Sequence, residues 1–321
     1  MRQIVVTMNN KVKGYLLGAI AAATYGMNPL FALPLYKEGL SPDAVLFFRY
    51  LFAIPILAIM VYSRGRSFRI ERADIPPLAI FGLLFALSSL TLFRSYTHMD
   101  AGIASTLLFV YPIMVALIMF IVFRERLTPQ TLLCIVMALG GIILLFEGDN
   151  GNTLSIRGTL LVMASALCYA VYIVGINNCR LKTMATIKVS FYVLLFGWAV
   201  IAASSIASGG FHLPDKWYMW IYLFLLALLP TAVSLLCTTS AIKLIGATPT
   251  AILGALEPVT ALIFGVTIFH EVITPRDLAG IVLIIAAVTI VVAGGNITST
   301  LVRFRKLFPR LTPQQNKNRR S

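Results

Sequence analysis

Charge is what this sequence has least of. Asp, Glu, Lys and Arg make up 12% of its 321 residues, about half the share of an ordinary soluble domain. A chain so poor in charge has no polar coat with which to cover a soluble globule. Acidic residues number 12, cysteines four and histidines three. Cys134, Cys168, Cys179 and Cys237 form no C-x-x-C pair and lie in or at the ends of apolar segments, which points to inert buried thiols rather than metal ligands or disulfides. His98, His212 and His270 are dispersed and make no ligand set. Neither G-x-x-x-x-G-K-[ST] nor H-E-x-x-H occurs, so no nucleotide, metal or other cofactor is expected. The 22 glycines follow no period, which excludes a collagen-like chain. What is abundant is apolar: 59% of the side chains are hydrophobic, which excludes disorder and leaves an integral membrane protein.

Cutting the chain at its charges leaves ten apolar segments, near 14–33, 44–62, 75–93, 102–123, 129–146, 158–178, 187–207, 217–240, 248–269 and 278–295. Each approaches the roughly 20 residues that a helix needs to cross a hydrocarbon core. The connections are short and rich in Pro, Gly or charge, with no room for a folded extramembrane domain. Lys and Arg alternate in density along them. With the N-terminus inside, 20 of the 26 fall on the cytoplasmic side and five (Lys37, Arg94, Arg157, Lys216, Arg276) on the other, with Arg49 inside a span. Both termini are therefore expected in the cytoplasm of a cell with this protein in its plasma or inner membrane. Trp217, Tyr218 and Trp220 then open the eighth span at the outer interface, and the first span is expected to remain a membrane helix rather than a cleaved signal.

The net charge of +14 follows from the same map. Seven basic residues and no acid occupy the last 19 positions, a tail suited to anionic lipid beside a membrane helix rather than to nucleic acid.

The second half repeats the first. At an offset of 146, Pro112 falls on Pro258, Phe123 on Phe269, Glu125 on Glu271, Thr128 on Thr274 and Pro129 on Pro275; at 144, Gly14-Tyr-Leu-Leu falls on Gly158-Thr-Leu-Leu. Chance matches in low-diversity apolar sequence are the competing explanation, and the shared E-x-x-T-P argues against it. Five spans per half is an odd number, so the halves enter the membrane from opposite sides. The predicted fold is all-α: ten transmembrane helices as two inverted five-helix repeats, an architecture of secondary transporters. The parts are a cytoplasmic segment 1–13, repeats 14–147 and 158–295, a linker 148–157 and a basic tail 296–321. Two complete repeats in one chain are compatible with a monomer or a homodimer.

These features resemble the drug/metabolite transporter superfamily, specifically its EamA-type members with two five-helix repeats. The resemblance rests on Tyr25-Gly26-Met27-Asn28, similar to the family's W-G-x-N; on Arg49; on Ser95-Tyr96 leading to Ala101; and on Gly246-Ala247, Glu257-Pro258, Glu271, Thr274 and Gly280. It spans about 14 to 295 and departs at Tyr111, which stands where the second repeat has Glu257. It implies export of amino acids, related metabolites or toxic analogues.

Glu257 is the one acid deep in a span, midway between Lys243 and His270. A carboxyl at that depth costs several kcal/mol unless it is paired or meets water. It is read either as a proton carrier or partner of a substrate amine, or as a protonated acid bonded to a neighbouring helix. Pro258 frees the Gly254 carbonyl, and Pro112 and Pro29 are the matching candidates for helix breaks. Arg49 lies about 9 Å inside its span; it can snorkel outward, hold a substrate carboxylate or pair with a helix end. Asn28 offers an amide at a break. Tyr25, Tyr96, Tyr111, Tyr169 and Tyr172 are candidates to line a cavity or simply to pack, and Glu125 and Glu271 are read as interfacial, gating or capping charges. Gly14-x-x-x-Gly18 is a close-packing motif.

A small-molecule carrier is the reading these residues favour, with proton coupling through Glu257. A polytopic enzyme needs a cluster of deep catalytic groups and a channel needs a charge ring or filter; these are the alternatives. No residue is assigned a catalytic role.

Overall fold

The computed structural model describes residues 2–124, 129–146, 155–207, 213–245, 250 and 253–290, with only the backbone of 2–9, 146 and 177. Among the described residues the secondary structure is helical. The helices are α1 (Arg2–Gly26), α2 (Asn28–Lys37), α3 (Pro42–Ser63), α4 (Ile75–Ser95), α5 (Ala101–Leu108), α6 (Tyr111–Phe123), α7 (Pro129–Phe146), α8 (Ile156–Asn177), α9 (Thr186–Ala207), α10 (Trp217–Ala227), α11 (Ser234–Ile245), α12 (Leu256–Ile268) and α13 over 275–290. Among the described residues, seven helical stretches are long and apolar enough to cross a membrane; Pro129–Leu145 and Leu256–Ile268 are shorter apolar helices. The first helix begins at Arg2, well before the expected start near residue 14. Glu125, Thr128, Gly246, Ala247, most of the linker and the basic tail lie outside the described residues.

Proline sets the interruptions. Pro29 has no N–H to give to the Tyr25 carbonyl four residues back, and α1 and α2 part at Met27. Asn28 Nδ2 donates to that freed carbonyl at 2.8 Å. Pro112 sits just past the gap between α5 and α6, and Pro258 follows the turn at Gly254–Ala255. Pro230 widens one turn, Leu228–Val233, into a π-helix between α10 and α11. By contrast Pro34 and Pro55 stay inside continuous helices.

In a bilayer, packing rather than water expulsion joins helices, so small residues and interhelical hydrogen bonds carry the interfaces. The main contacts run between the halves: α4 packs on α8 and α9, α3 on α9, α1 on α11 and α12, and α5 on α12. These contacts recur in matched pairs. Ser88 Oγ donates to the Ser165 carbonyl at 3.0 Å, and Ser234 Oγ, 146 positions on, donates to the Ala21 carbonyl at 2.9 Å, 144 positions before Ser165. A Cβ on Gly14 would meet Leu244 and Ile245; one on Gly158 would meet their counterparts His98 and Met99. Arg124 and His270, also 146 apart, both have left-handed backbone, φ 54° and 58°. The first glycine contact lies at the helix ends joined by residues 64–74 and 178–185, where Arg180 pairs with Glu71 and Asp74. The second lies at the opposite end, with Arg94–Asp43 and Lys216–Glu38. We call these the first and second ends.

Gly82 and Gly197 let α4 and α9 touch. A Cβ on Gly82 would stand 2.6 Å from Phe196 Cβ and 3.0 Å from the Gly197 nitrogen. Gly82→Leu is therefore expected to cost about 1–3 kcal/mol by overpacking and to lower the thermal midpoint of the detergent-solubilised protein. Gly140→Ala, with its nearest neighbour at 3.5 Å, is the control and should leave the midpoint within error; equal losses in both would contradict this account of the interface.

Candidate functional site

A cavity of about 560 Å³ lies between the halves. Each lining helix presents one face. Gly18, Ala21, Ala22 and Tyr25 come from α1, and Thr231, Ser234 and Thr238 from the widened turn and α11. Thr250, Gly254 and Glu257 approach and enter α12, and Tyr169, Tyr172 and Ile173 come from α8. These are spacings of three, four and seven, the helical repeat. The lining continues to Thr186, Ser190, Ile242 and Thr250 near the first end and stops towards the second at Arg49, Leu108 and Glu257. The cavity thus extends from mid-protein towards the first end.

Arg49 is 6% exposed and belongs to this lining, so it does not snorkel to a surface. Its Nε donates to Thr231 Oγ1 at 3.3 Å, on the widened turn created at Pro230, and its guanidinium stands 5.3 Å from the Phe93 ring centre. Glu257 is in the first turn of α12, where the helix dipole favours an anion. Among the described residues, the ion pairs join Arg94 to Asp43, Arg180 to Glu71 and Asp74, and Lys216 to Glu38. Among the described residues, neither Arg49 nor Glu257 takes part in these pairs, and no hydrogen bond to the Glu257 carboxylate or from the terminal nitrogens of Arg49 is seen.

Aromatic rings form part of the wall. Tyr111 meets Tyr169 edge-on at 4.8 Å, Tyr169 stacks beside Tyr172 at 5.8 Å, and Phe85 lies 5.3 Å from Tyr172. Tyr50 joins the wall, its hydroxyl 2.8 Å from Ser89 Oγ.

Two sequence candidates fall outside the cavity lining. Tyr96 follows α4 at its second-end terminus and packs on Phe93 at 5.5 Å. Asn28, 3% exposed, spends its amide on the α1–α2 break; its Oδ1 is buried with no partner among the described residues. Conversely, Tyr50, Thr231, Ser234 and Thr238 line the cavity without having been singled out. The last three recur at i, i+3 and i+7 in an apolar span, a polar stripe that periodicity alone can reveal.

The second end is closed by polar contacts. Arg94 grips Asp43 with both Nε (3.1 Å) and Nη2 (2.6 Å), and Ser204 Oγ donates to the same carboxylate at 2.7 Å. Tyr36 Oη donates to the Phe93 carbonyl at 3.2 Å. Lys216 and Tyr218 both donate to Glu38, and the Lys216 bond foremost holds the Glu38 carboxyl below its usual range. Glu271 accepts from the Ala101 N–H at 2.9 Å and the Gly102 N–H at 3.3 Å. Burial raises the pKa of Glu271, the Ala101 bond opposes this, and Asp100 reinforces it.

A multi-pass helical protein with a charged, tyrosine-walled cavity between two repeated halves is a membrane transporter. The chain belongs to the EamA-like transporter family, whose profile matches residues 12–147 and 156–293. It is 25% identical over 246 residues to YcbK of Bacillus subtilis, named an uncharacterized transporter, covering 74% of this chain and 78% of that one. An uncharacterized transporter of Archaeoglobus fulgidus is 26% identical over 213 residues, 66% of this chain and 74% of its own. A crystal structure at 17% identity and TM-score 0.62 covers 91% of this chain and 98% of its own, a likeness of fold.

Proposed function

We propose that this protein is a secondary active exporter of a small zwitterionic metabolite of the amino-acid class, working by alternating access. The observation that carries this reading is that one cation, Arg49, and one acid, Glu257, line the same cavity without a protein ion partner among the described residues. A carboxylate fits the guanidinium fork, and an ammonium group fits Glu257. Tyrosine and Ser/Thr hydroxyls supply further donors and acceptors. A volume of about 560 Å³ suits a ligand of amino-acid size or somewhat larger.

Ten crossings arranged as two inverted five-helix repeats are supported by the matched contacts at opposite ends. They are also supported by second-half contacts to landmarks at alternating ends: Gly158 near His98, Arg180 at Glu71, Ser204 at Asp43, Glu271 at Ala101. The first end carries Arg64, Arg66, Arg69, Arg72, Arg180 and Lys182, which supports an orientation with this end on the cytoplasmic side of the plasma or inner membrane. The cavity then faces the cytoplasm, ready to load a substrate for export. Glu257 couples the cycle by giving up a proton when the substrate ammonium arrives and regaining one from the far side.

The test compares metabolites inside and outside cells with and without the gene, then measures transport of the compound that changes in proteoliposomes. An amino acid or close relative is expected to rise in the medium and to be carried by the purified protein. A change confined to compounds lacking either charge would overturn the substrate assignment.

A further inference from the structure

We propose that Glu271 is the latch of the outer gate, and that α12 links it mechanically to the substrate site; this rests on the alternating-access reading above. Glu271 belongs to the second half, and its two donors, the N–H groups of Ala101 and Gly102, open α5 in the first half. They are orphan donors of a helix start, which must find an acceptor or water. At the membrane boundary water is a ready substitute, so the bonds can be exchanged during a cycle.

The local backbone is shaped to deliver this carboxylate. His270 adopts φ 58°, and the Glu271 N–H closes back onto the Gly265 carbonyl at 2.9 Å, folding the side chain over the end of α12. Gly265 leaves the room: a Cβ there would stand 2.1 Å from Glu271 Oε2. Across the seam, a Cβ on Gly102 would stand 3.1 Å from the same oxygen and 3.0 Å from Leu262 Cδ1. The halves touch closely here.

Position gives the contact its role. Glu271 holds the second end of α12 against α5, which ends at the cavity-lining Leu108. The opposite terminus of α12 bears Glu257 in the cavity. These 13 residues form one helix about 20 Å long. A substrate that draws on Glu257 thus acts on the same rigid body that Glu271 fastens, and opening outward requires the latch to part.

The test uses the full-length protein in proteoliposomes, with its four native cysteines replaced and one reporter cysteine at a time. Leu262→Cys lies beneath the latch, and Thr238→Cys lines the cavity on its first-end side. Labelling by a membrane-impermeant methanethiosulfonate is expected to be slow at position 262 and fast at 238. Glu271→Gln, which removes the charge but keeps the size, and Gly265→Ala, which displaces the carboxylate, are each expected to speed labelling at 262 at least tenfold and to slow it at 238. If Gly265→Ala does not insert, Glu271→Gln decides alone.

Unchanged rates at both positions, in a parent whose reporters still shift in opposite directions with a mixture of L-amino acids, overturn the latch and leave alternating access standing. Parent reporters that rise and fall together overturn both. Loss of folded protein without reciprocal labelling marks Glu271 as a static cap and also overturns the latch.

Discussion

Arg49→Gln is expected to raise the concentration of a carboxylate substrate needed for half-maximal transport about 100-fold, the equivalent of about 2.7 kcal/mol. The magnitude follows from removing one partner of a charge-assisted contact at a buried guanidinium, 6% exposed, which leaves the substrate's carboxylate without its counter-charge. Glutamine retains a donor for Thr231 but not the planar fork, and it gives up the contact with the Phe93 ring. Arg49→Lys keeps the charge and loses the bidentate geometry, so its effect should fall between those of wild type and Gln. Transport kinetics on protein of verified thermal stability separate these outcomes. Unaltered affinity for a carboxylate substrate in Arg49→Gln would show that the guanidinium only props the widened turn at Pro230.

The second large effect concerns coupling. Glu257→Gln is expected to abolish accumulation driven by a pH gradient while sparing exchange of substrate for substrate, which needs no net proton movement. Glutamine still accepts a hydrogen bond from an ammonium group but holds no exchangeable charge, so affinity for the zwitterion should fall less than coupling does. Flux in proteoliposomes with and without an imposed gradient reads both quantities. Equal gradient-driven flux in wild type and Glu257→Gln would remove this residue from the coupling step.

The two charges differ in how far sequence alone defines them. Glu257 stands out because every other acid lies in a loop or at a span end, so a depth argument suffices. Arg49 is different. Seven residues into its helix it can reach either a surface or the interior, and only the placement of α3 between Phe93 and Thr231 decides for the interior.

Proline was informative to within a turn rather than a residue. Pro29, Pro112 and Pro258 each lie one to four residues after an interruption, because each lacks the N–H that would bond the carbonyl four residues back; at Tyr25 that carbonyl is taken by Asn28 Nδ2 and at Gly254 by the Glu257 N–H. Pro34 and Pro55 carry the same local chemistry without interrupting a helix, and Pro230 widens one. Neighbouring helices determine which result follows.

The tyrosines show the same limit. Tyr96 and Tyr50 are both buried, yet Tyr50 faces the cavity and Tyr96 packs on Phe93. Composition cannot tell which side of a helix meets open space. The repeat, in contrast, was legible as an E-x-x-T-P echo, and the structure gives part of it a physical meaning. Thr274 and Asp277 bond reciprocally, N–H to side chain in both directions, at the start of α13. Pro275 fills its first turn, where a missing N–H costs nothing. Glu271 is left free to reach α5.

The central claim is that one cavity holds a zwitterion between Arg49 and Glu257 and carries it across. Counterflow in proteoliposomes measures this most directly, using an amino acid that the wild type transports, its decarboxylated amine and its deaminated acid as competitors. The account predicts that the intact zwitterion competes strongly and the other two weakly. It further predicts that Arg49→Gln narrows the gap between amino acid and amine, and that Glu257→Gln narrows the gap between amino acid and acid. Equal competition by all three compounds in wild type, or the same residual selectivity in both variants, would contradict it.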